Sequence, residues 1–377
     1  MKTFTRILAA VALTLAASAL FVAPGAGADG AAKHYVCAPC GLPCDKEVFD
    51  QPGTCPKCGM ALVEQGSLPP PPPQKKVAIL IFDGVEIIDY TAPWEMFGAA
   101  NYQVYTVALS KQPVQTAMGM VVVPQYTFAD APQADVLLVP GGGVRATCES
   151  APTLEWLKKT SPQTKQTLSV CNGSFILASA GLLDGLHATT TAGNIDRMRA
   201  KYPKVTVVEN QRVVDNGKIS TAAGLSSGID GALHVISKLD GQGMAEQVAL
   251  GEEYDWRPDG GFVRAALADR QIPDVDMDSM GDFHVVSTQG TTDHWAIVVR
   301  GKSKLTTPEL NERIGKEFVT KGKWESVPSN GQSSGAMKSA WKFSGRDGKP
   351  WNGEVTVEPV QGADHEYDVM LRVARSG

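Results

Sequence analysis

Short apolar runs alternate with longer amphipathic stretches from Lys76 to about Trp256. "KVAILIF" is continuously apolar, the pattern of a strand buried on both faces, and "YQVYTVAL", "ADVLLVP", "QTLSV" and "GKISTAAG" predict further strands. Asn216-Gly217 supplies a hairpin turn before the last of these. "TAPWEMFGAA" predicts a helix with Thr91 as cap and Pro93 in its first turn. "SAPTLEWLKKT" predicts a capped helix with Leu154 and Leu157 on one side. "FILASAGLL" reads as a buried helix, and Ser226 to Leu239 as another. This alternation predicts an α/β domain over 76–256, with a mostly parallel sheet and helices on both faces.

After Trp256 the pattern breaks at "RPDGG". "FHVVSTQ" and "HWAIVVRG" predict two strands. "TTPELNERIGKEFV" predicts a helix with Thr307 as cap, Pro308 in its first turn, and Leu310, Ile314 and Phe318 on one face. Strands follow near "AWKFSG", "GEVTVEPV" and "YDVMLRV". In the last, Tyr367, Val369, Leu371 and Val373 alternate with Asp368, Met370 and Arg372, which predicts a sheet with one solvated face. Residues 257–377 therefore read as a small α+β domain without evident chemistry.

Upstream of Lys76 the chain has other rules. Lys2 and Arg6 precede an apolar stretch from Ile7 to Val22, and Ala26-Gly27-Ala28 offers small residues for cleavage. The stretch is short for a membrane span, so residues 1–28 are expected to be a leader cleaved near Ala28, sending the protein to a periplasm. Five cysteines then fall between Cys37 and Cys58. The pairs Cys37/Cys40 and Cys55/Cys58 each set two sulfurs on one turn. Two such knuckles suit a tetrahedral thiolate site for zinc or another soft metal. A disulfide framework is the competing arrangement in an oxidising compartment. Cys44 is the odd thiol: spare, an alternative ligand, or a redox partner. Five prolines in "SLPPPPPQKK" make 67–75 a semi-rigid linker, leaving 29–66 as a separate module.

A hydrophobic content of 43% and a charged content of 20% fit a globular protein. The net charge of -5, with no basic stripe, argues against nucleic acid as a partner.

Chemistry on a doubly wound sheet gathers at the carboxyl ends of its strands. Three segments end there: "VLLVPGGG" at Gly141 to Gly143, "LSVCNGS" at Cys171, and the first strand through "FDGVEIID" to Asp89. Cys171 opens a helix directly after a strand, as a nucleophile elbow does. The helix N-terminus there is expected to acidify the thiol. The N–H groups of Asn172 and of Gly142 or Gly143 are the expected oxyanion donors. Cys is also among the most often buried and inert side chains, which is the competing reading of Cys171. Cys148 reads as a surface or helix-start thiol, and His234 as a packed or edge histidine.

The segments "ILIFDGVEIIDYTAPWEMF", "VLLVPGGG", "SVCNGSFILASAGLLDGLHATTT" and "ISTAAGLSSGIDGALHVI" resemble the ThiJ/PfpI superfamily, the class I glutamine amidotransferase-like fold. The resemblance is to its isonitrile hydratase and AraC-regulator branch. It implies a flavodoxin-like doubly wound sheet, a reactive cysteine at Cys171 and an acidic partner at Asp89, whose protonated carboxyl donates a hydrogen bond to the thiolate and then shuttles a proton. It also implies a small-molecule substrate, no cofactor at this site and a homodimer through the central domain. Two departures stand out. Asn172 replaces the hydratases' threonine, and Thr191-Ala192 replaces a His-Trp pair, so Thr191 lines the expected pocket where a histidine would pair with the cysteine. The AraC-type regulators carry a helix-turn-helix tail, which the present C-terminal pattern lacks. Separately, "DQPGTCPKCGMALVE" resembles the heavy-metal-binding ribbon found beside metal efflux proteins, with Cys40 standing where that family has histidine. That resemblance implies a bound metal ion and efflux components as partners.

Overall fold

The computed structural model describes residues 33–37, 43–67, 73–328, 332–333 and 335–376. The expected leader, Cys40 and four of the five linker prolines lie outside them. The chain divides into two units, Met1–Pro73 and Gln74–Gly377. In the first, β1 (Tyr35–Cys37) pairs antiparallel with both β2 (Val48–Phe49) and β3 (Leu62–Glu64). Its interior consists of the buried Cys37, Cys44 and Cys55, with Phe49, Cys58, Met60 and Leu62 packed on them. So few apolar side chains cannot hold a fold unaided, which is why small modules recruit metal or disulfides.

The second unit begins with β4 (Lys76–Leu80), α1 (Ile87–Ala99), β5 (Gln103–Ala108), β6 (Tyr126–Thr127), β7 (Val136–Val139), α2 (Ala151–Thr160), β8 (Gln166–Val170), α3 (Gly173–Ser179), β9 (Val213–Asp215), β10 (Ile219–Ala222), α4 (Ser227–Asp240) and α5 (Gln242–Gly251). The sheet order is β9-β10-β8-β7-β4-β5-β6, parallel throughout except for the β9–β10 hairpin. Side chains alternate between two cores. Val77, Ile79, Val136 and Leu138 pack under Met96, Phe97, Leu233 and Ile236. Ala78, Leu80, Leu137 and Val139 pack under Leu157, Phe175 and Ile176 on the other face. The architecture is the doubly wound, flavodoxin-like sheet that the strand pattern predicts.

Two caps differ from expectation. α1 starts at Ile87, one turn before Thr91, whose Oγ1 donates back to the Ile87 carbonyl at 2.8 Å. Pro93 therefore lies inside the helix. No side chain caps this helix; its first turn carries Asp89, which a tertiary contact holds.

The remaining elements are β11 (Asp282–Gly290), β12 (His294–Lys302), α6 (Thr307–Gly322), β13 (Glu325–Val327), β14 (Ala336–Ser344), β15 (Pro350–Pro359) and β16 (Glu366–Arg375). The strands form one antiparallel sheet in the order β11-β12-β16-β15-β14-β13. Leu310, Ile314 and Phe318 of α6 bury against Trp324, Trp341, Val355 and Val357. Tyr367, Val369, Leu371 and Val373 line the buried face, as their alternation predicts. The cap of α6 is Thr306 rather than Thr307: its backbone N–H donates to Glu309 in a capping box. Among the described residues no helix is long and apolar enough to cross a membrane.

Candidate active site and metal centre

Cys171 sits between β8 and α3 with φ of +59°, a left-handed conformation that side chains other than glycine rarely adopt. Four contacts hold it there. Its N–H donates to the Ala222 and Ala223 carbonyls at 3.1 and 2.9 Å. Its carbonyl accepts from Thr190 Oγ1 at 3.1 Å and from Ser174 Oγ at 3.2 Å. Strain of this kind persists only where surrounding structure over-determines it, and it concentrates at reactive sites. Sequence reasoning missed Thr190 and Ser174. The hydroxyl run "ATTT" holds Thr190, while Ser174 lies in the elbow segment "CNGS" itself.

Asp89 is wholly buried in the first turn of α1. Its Oδ2 accepts the Gly141 N–H at 3.0 Å, whereas Oδ1 has no partner of ordinary hydrogen-bond geometry among the described residues. Burial pushes its carboxyl up to about 6, against the lowering effect of the Gly141 N–H and of the Cys171 thiol nearby. The fold thus brings Cys171 and Asp89 together.

The protonation of the thiol is the reverse of the expectation. Burial first, and the Asp89 charge second, push Cys171 up to about 12; the Asn172 N–H and the Thr191 hydroxyl pull the other way and lose. A helix N-terminus can acidify a cysteine only where desolvation is small. Burial thus favours the neutral thiol, with a carboxyl beside it that burial also raises.

The expected oxyanion donors divide. Asn172 N–H points at the Cys171 sulfur. Gly142 N–H is already given to Asn172 Oδ1 at 2.7 Å, and Gly143 N–H to the Gly84 carbonyl at 2.7 Å, so neither glycine is a free donor. Asn172 also returns a hydrogen bond from Nδ2 to the Gly142 carbonyl at 2.9 Å. Its side chain is fully occupied in clamping the elbow to the Gly141–Gly143 turn. That role accounts for an amide at this position, since both groups are used. The Thr191 hydroxyl lies near the thiol. His187 is exposed, and its strand pairs with Thr206–Val207 rather than joining this cluster. His234 lies on α4 beside Asp215. Cys148 is buried rather than on the surface.

Gly141 closes the site from below. A Cβ there would lie 2.2 Å from Asn172 Oδ1, 2.9 Å from Asn172 N and 2.9 Å from Asp89 Oδ2. Gly141→Ala is expected to destabilise the domain by about 1–3 kcal/mol through overpacking and to detach Asp89 from its backbone donor. A lower melting temperature, measured by calorimetry, would accompany loss of the Cys171–Asp89 coupling.

In the ribbon, the Sγ atoms of Cys37, Cys44, Cys55 and Cys58 all lie within 4.8 Å of one another. Four thiolates around zinc at ordinary bond lengths sit ~3.8 Å apart, so the cluster fits a tetrahedral sulfur site. Cys37 Sγ and Cys58 Sγ are 3.1 Å apart, too far for a disulfide. The hydrogen bond from Cys37 draws Cys58 down to about 7 while Cys37 is raised. Cys55 and Cys58 form a tight knuckle: Gly59, at φ of +75°, donates to the Cys55 carbonyl at 2.9 Å. Cys44, the odd thiol of the sequence, is one of the four. Cys40, given a ligand role from its spacing, lies outside the described residues.

The DJ-1/PfpI family model matches residues 75–238, and 182 residues are 35% identical to the isonitrile hydratase of Pseudomonas putida, covering 48% of this chain and 78% of that one. The chain belongs to the DJ-1/PfpI family. A second model, the heavy metal binding domain, matches residues 34–65. This DJ-1/PfpI protein is also 27% identical over 247 residues to the HTH-type transcriptional regulator CdhR of Pseudomonas aeruginosa, over 62% of its own length and 68% of the regulator. Among solved structures, a ThiJ/PfpI family protein from Pseudomonas syringae matches at 34% identity and a TM-score of 0.46, over 50% of this chain and 78% of that one.

Proposed function

We propose that the DJ-1/PfpI domain is a cysteine-dependent hydratase for small isonitrile-type substrates, joined to a ribbon that binds a soft metal ion. The observation that carries the first part is the strained Cys171 held beside the buried Asp89. The similarity to an isonitrile hydratase supports the substrate class. A neutral thiol beside a carboxylate suits addition to a carbon that must gain both sulfur and a proton. Asp89 takes the thiol proton as Cys171 Sγ bonds to the terminal isonitrile carbon, then delivers that proton to the same carbon. The product is a thioimidate with the proton count unchanged. Water adds to its carbon, the C–S bond breaks, and the thiol recovers a proton as the formamide leaves. The Asn172 N–H holds the sulfur during attack.

The reaction needs Asp89 ionised at the start, so kcat/KM is expected to rise with pH through about 6. Proton NMR of the protein with an alkyl isonitrile would show the formamide. Cys171→Ala should reduce turnover on the order of a thousandfold or more. Formamide made at the wild-type rate by Cys171→Ala would end the proposal.

A metal-handling role has separate support in the four-cysteine cluster and in the heavy metal binding domain match. Thiolates of Cys37, Cys44, Cys55 and Cys58 would hold the ion, which supplies the ribbon's missing core. Elemental analysis of protein purified without chelator should find one metal ion per chain; metal-free protein with intact ribbon structure would remove this role.

A further inference from the structure

Residues 190–198 meet Cys171 by three routes. Thr190 donates to its carbonyl, and the Thr191 hydroxyl lies near enough to its thiol to act on it. Met198 Sδ lies 3.7 Å from Ser174 Oγ, the other donor to the Cys171 carbonyl. Ile195 and Met198 are fully buried on the inner side of this segment. Its outer side carries Asp196, in the first turn of the short helix Ile195–Lys201.

Asp196 is one point where this segment meets the C-terminal domain. The Arg346 guanidinium, from the turn between β14 and β15, binds both of its carboxylate oxygens. Arg270 Nη2 lies 3.6 Å from Asp196, and its Nη1 lies 3.3 Å from Glu209. Arg199 bridges the same two carboxylates at 3.2 Å each. Arg346 N–H donates to the Gln271 side chain, tying the two arms together. An isolated exposed ion pair contributes little. This one is a network, and its Arg270 side chain is only 13% exposed, so that charge depends on its carboxylate partners.

We propose that Asp196 is a positioning residue through which Arg270 and Arg346 of the C-terminal domain hold the 190–198 segment against Cys171. The domain is then a working part of the reactive site. This rests on the reading of Cys171 as the reacting thiol, but it concerns what fixes that thiol, whichever electrophile it meets.

The test uses the full chain and site-resolved mass spectrometry of iodoacetamide labelling at Cys171 across pH. Arg270→Ala and Arg346→Ala should each speed labelling of Cys171 about threefold or more, because the segment that covers the thiol loses its outer anchor. Arg270→Lys, which keeps the charge, should restore much of the wild-type rate. With an alkyl isonitrile as substrate, kcat should fall in the alanine variants while KM changes little. Labelling rates equal to wild type in both alanine variants would overturn the proposal. Should Arg270→Ala fail to fold, the more exposed Arg346→Ala decides alone. Absence of isonitrile turnover in the wild type would remove the proposed reaction and leave the labelling comparison standing.

Discussion

Asp89→Asn is expected to melt about 5 °C or more above the wild type at pH 8, while losing thiol-dependent turnover. The carboxyl is raised from 3.8 to about 6, chiefly by burial. A folded-state value above the unfolded one means that folding takes up a proton between about pH 4 and 6. Stability therefore falls as pH rises through that window. Above it, the full burden of a buried carboxylate is present, about 3 kcal/mol. Asparagine carries no charge and escapes that burden. The difference in melting temperature should shrink below pH 6 and vanish near pH 4, where both side chains are neutral. Because the Asp89 charge also raises Cys171, the same variant should alkylate faster at pH 8. Calorimetry of the central-domain transition at the two pH values checks the first point. A variant no more stable than wild type at pH 8 would show that Asp89 is already protonated there, and the general-base assignment would go with it.

That trade of stability for a poised carboxylate explains what was legible beforehand. Asp89 and Cys171 could be read from the sequence because strand ends announce where a doubly wound sheet does its chemistry. Their protonation could not, because burial is a tertiary quantity: the same cysteine at an exposed helix start would be acidic. The start of α1 failed for a related reason. Capping logic favoured Thr91 ahead of Pro93, but the first turn is fixed by Gly141 reaching Asp89 across the sheet. The cap of α6 was readable, since Thr306 and Glu309 have capping-box spacing; the adjacent threonine drew attention away from it. The glycines show another limit. Sequence reveals that a backbone approaches something closely, but it does not reveal that Gly142 and Gly143 have already spent their N–H groups on Asn172 and Gly84.

The clamp by Asn172 and the latch at Asp196 serve the same end. A cysteine at positive φ relaxes unless its neighbours forbid it. Asn172 ties the elbow to the Gly141–Gly143 turn, while Thr190 and Ser174 fix its carbonyl. The family match ends at residue 238, so the arginines at 270 and 346 come from outside it. Under the proposed latch, the Cys171 site would draw support from side chains outside the matched segment.

In the ribbon, Cys44→Ser should weaken metal binding by more than about a hundredfold. Groups that merely orient a ligand change affinity by 10- to 100-fold, and loss of a ligand sulfur must exceed that. Spacing favoured Cys40, because Cys37-x-x-Cys40 copies the second knuckle. The fold gathers Cys44 with Cys37, Cys55 and Cys58, with Cys37, Cys44 and Cys55 buried and Cys58 half-buried; Cys40 lies outside the described residues. Serine keeps the volume but supplies a harder oxygen, which a soft ion accepts poorly. Because the ribbon has little apolar core, the weakened site should also unfold it, visible as loss of amide dispersion in the isolated zinc-loaded full chain after mild chelation. Competition with a chromogenic chelator measures the affinity directly. Wild-type affinity in Cys44→Ser would show that Cys44 is not a ligand and would return the fourth position to another donor.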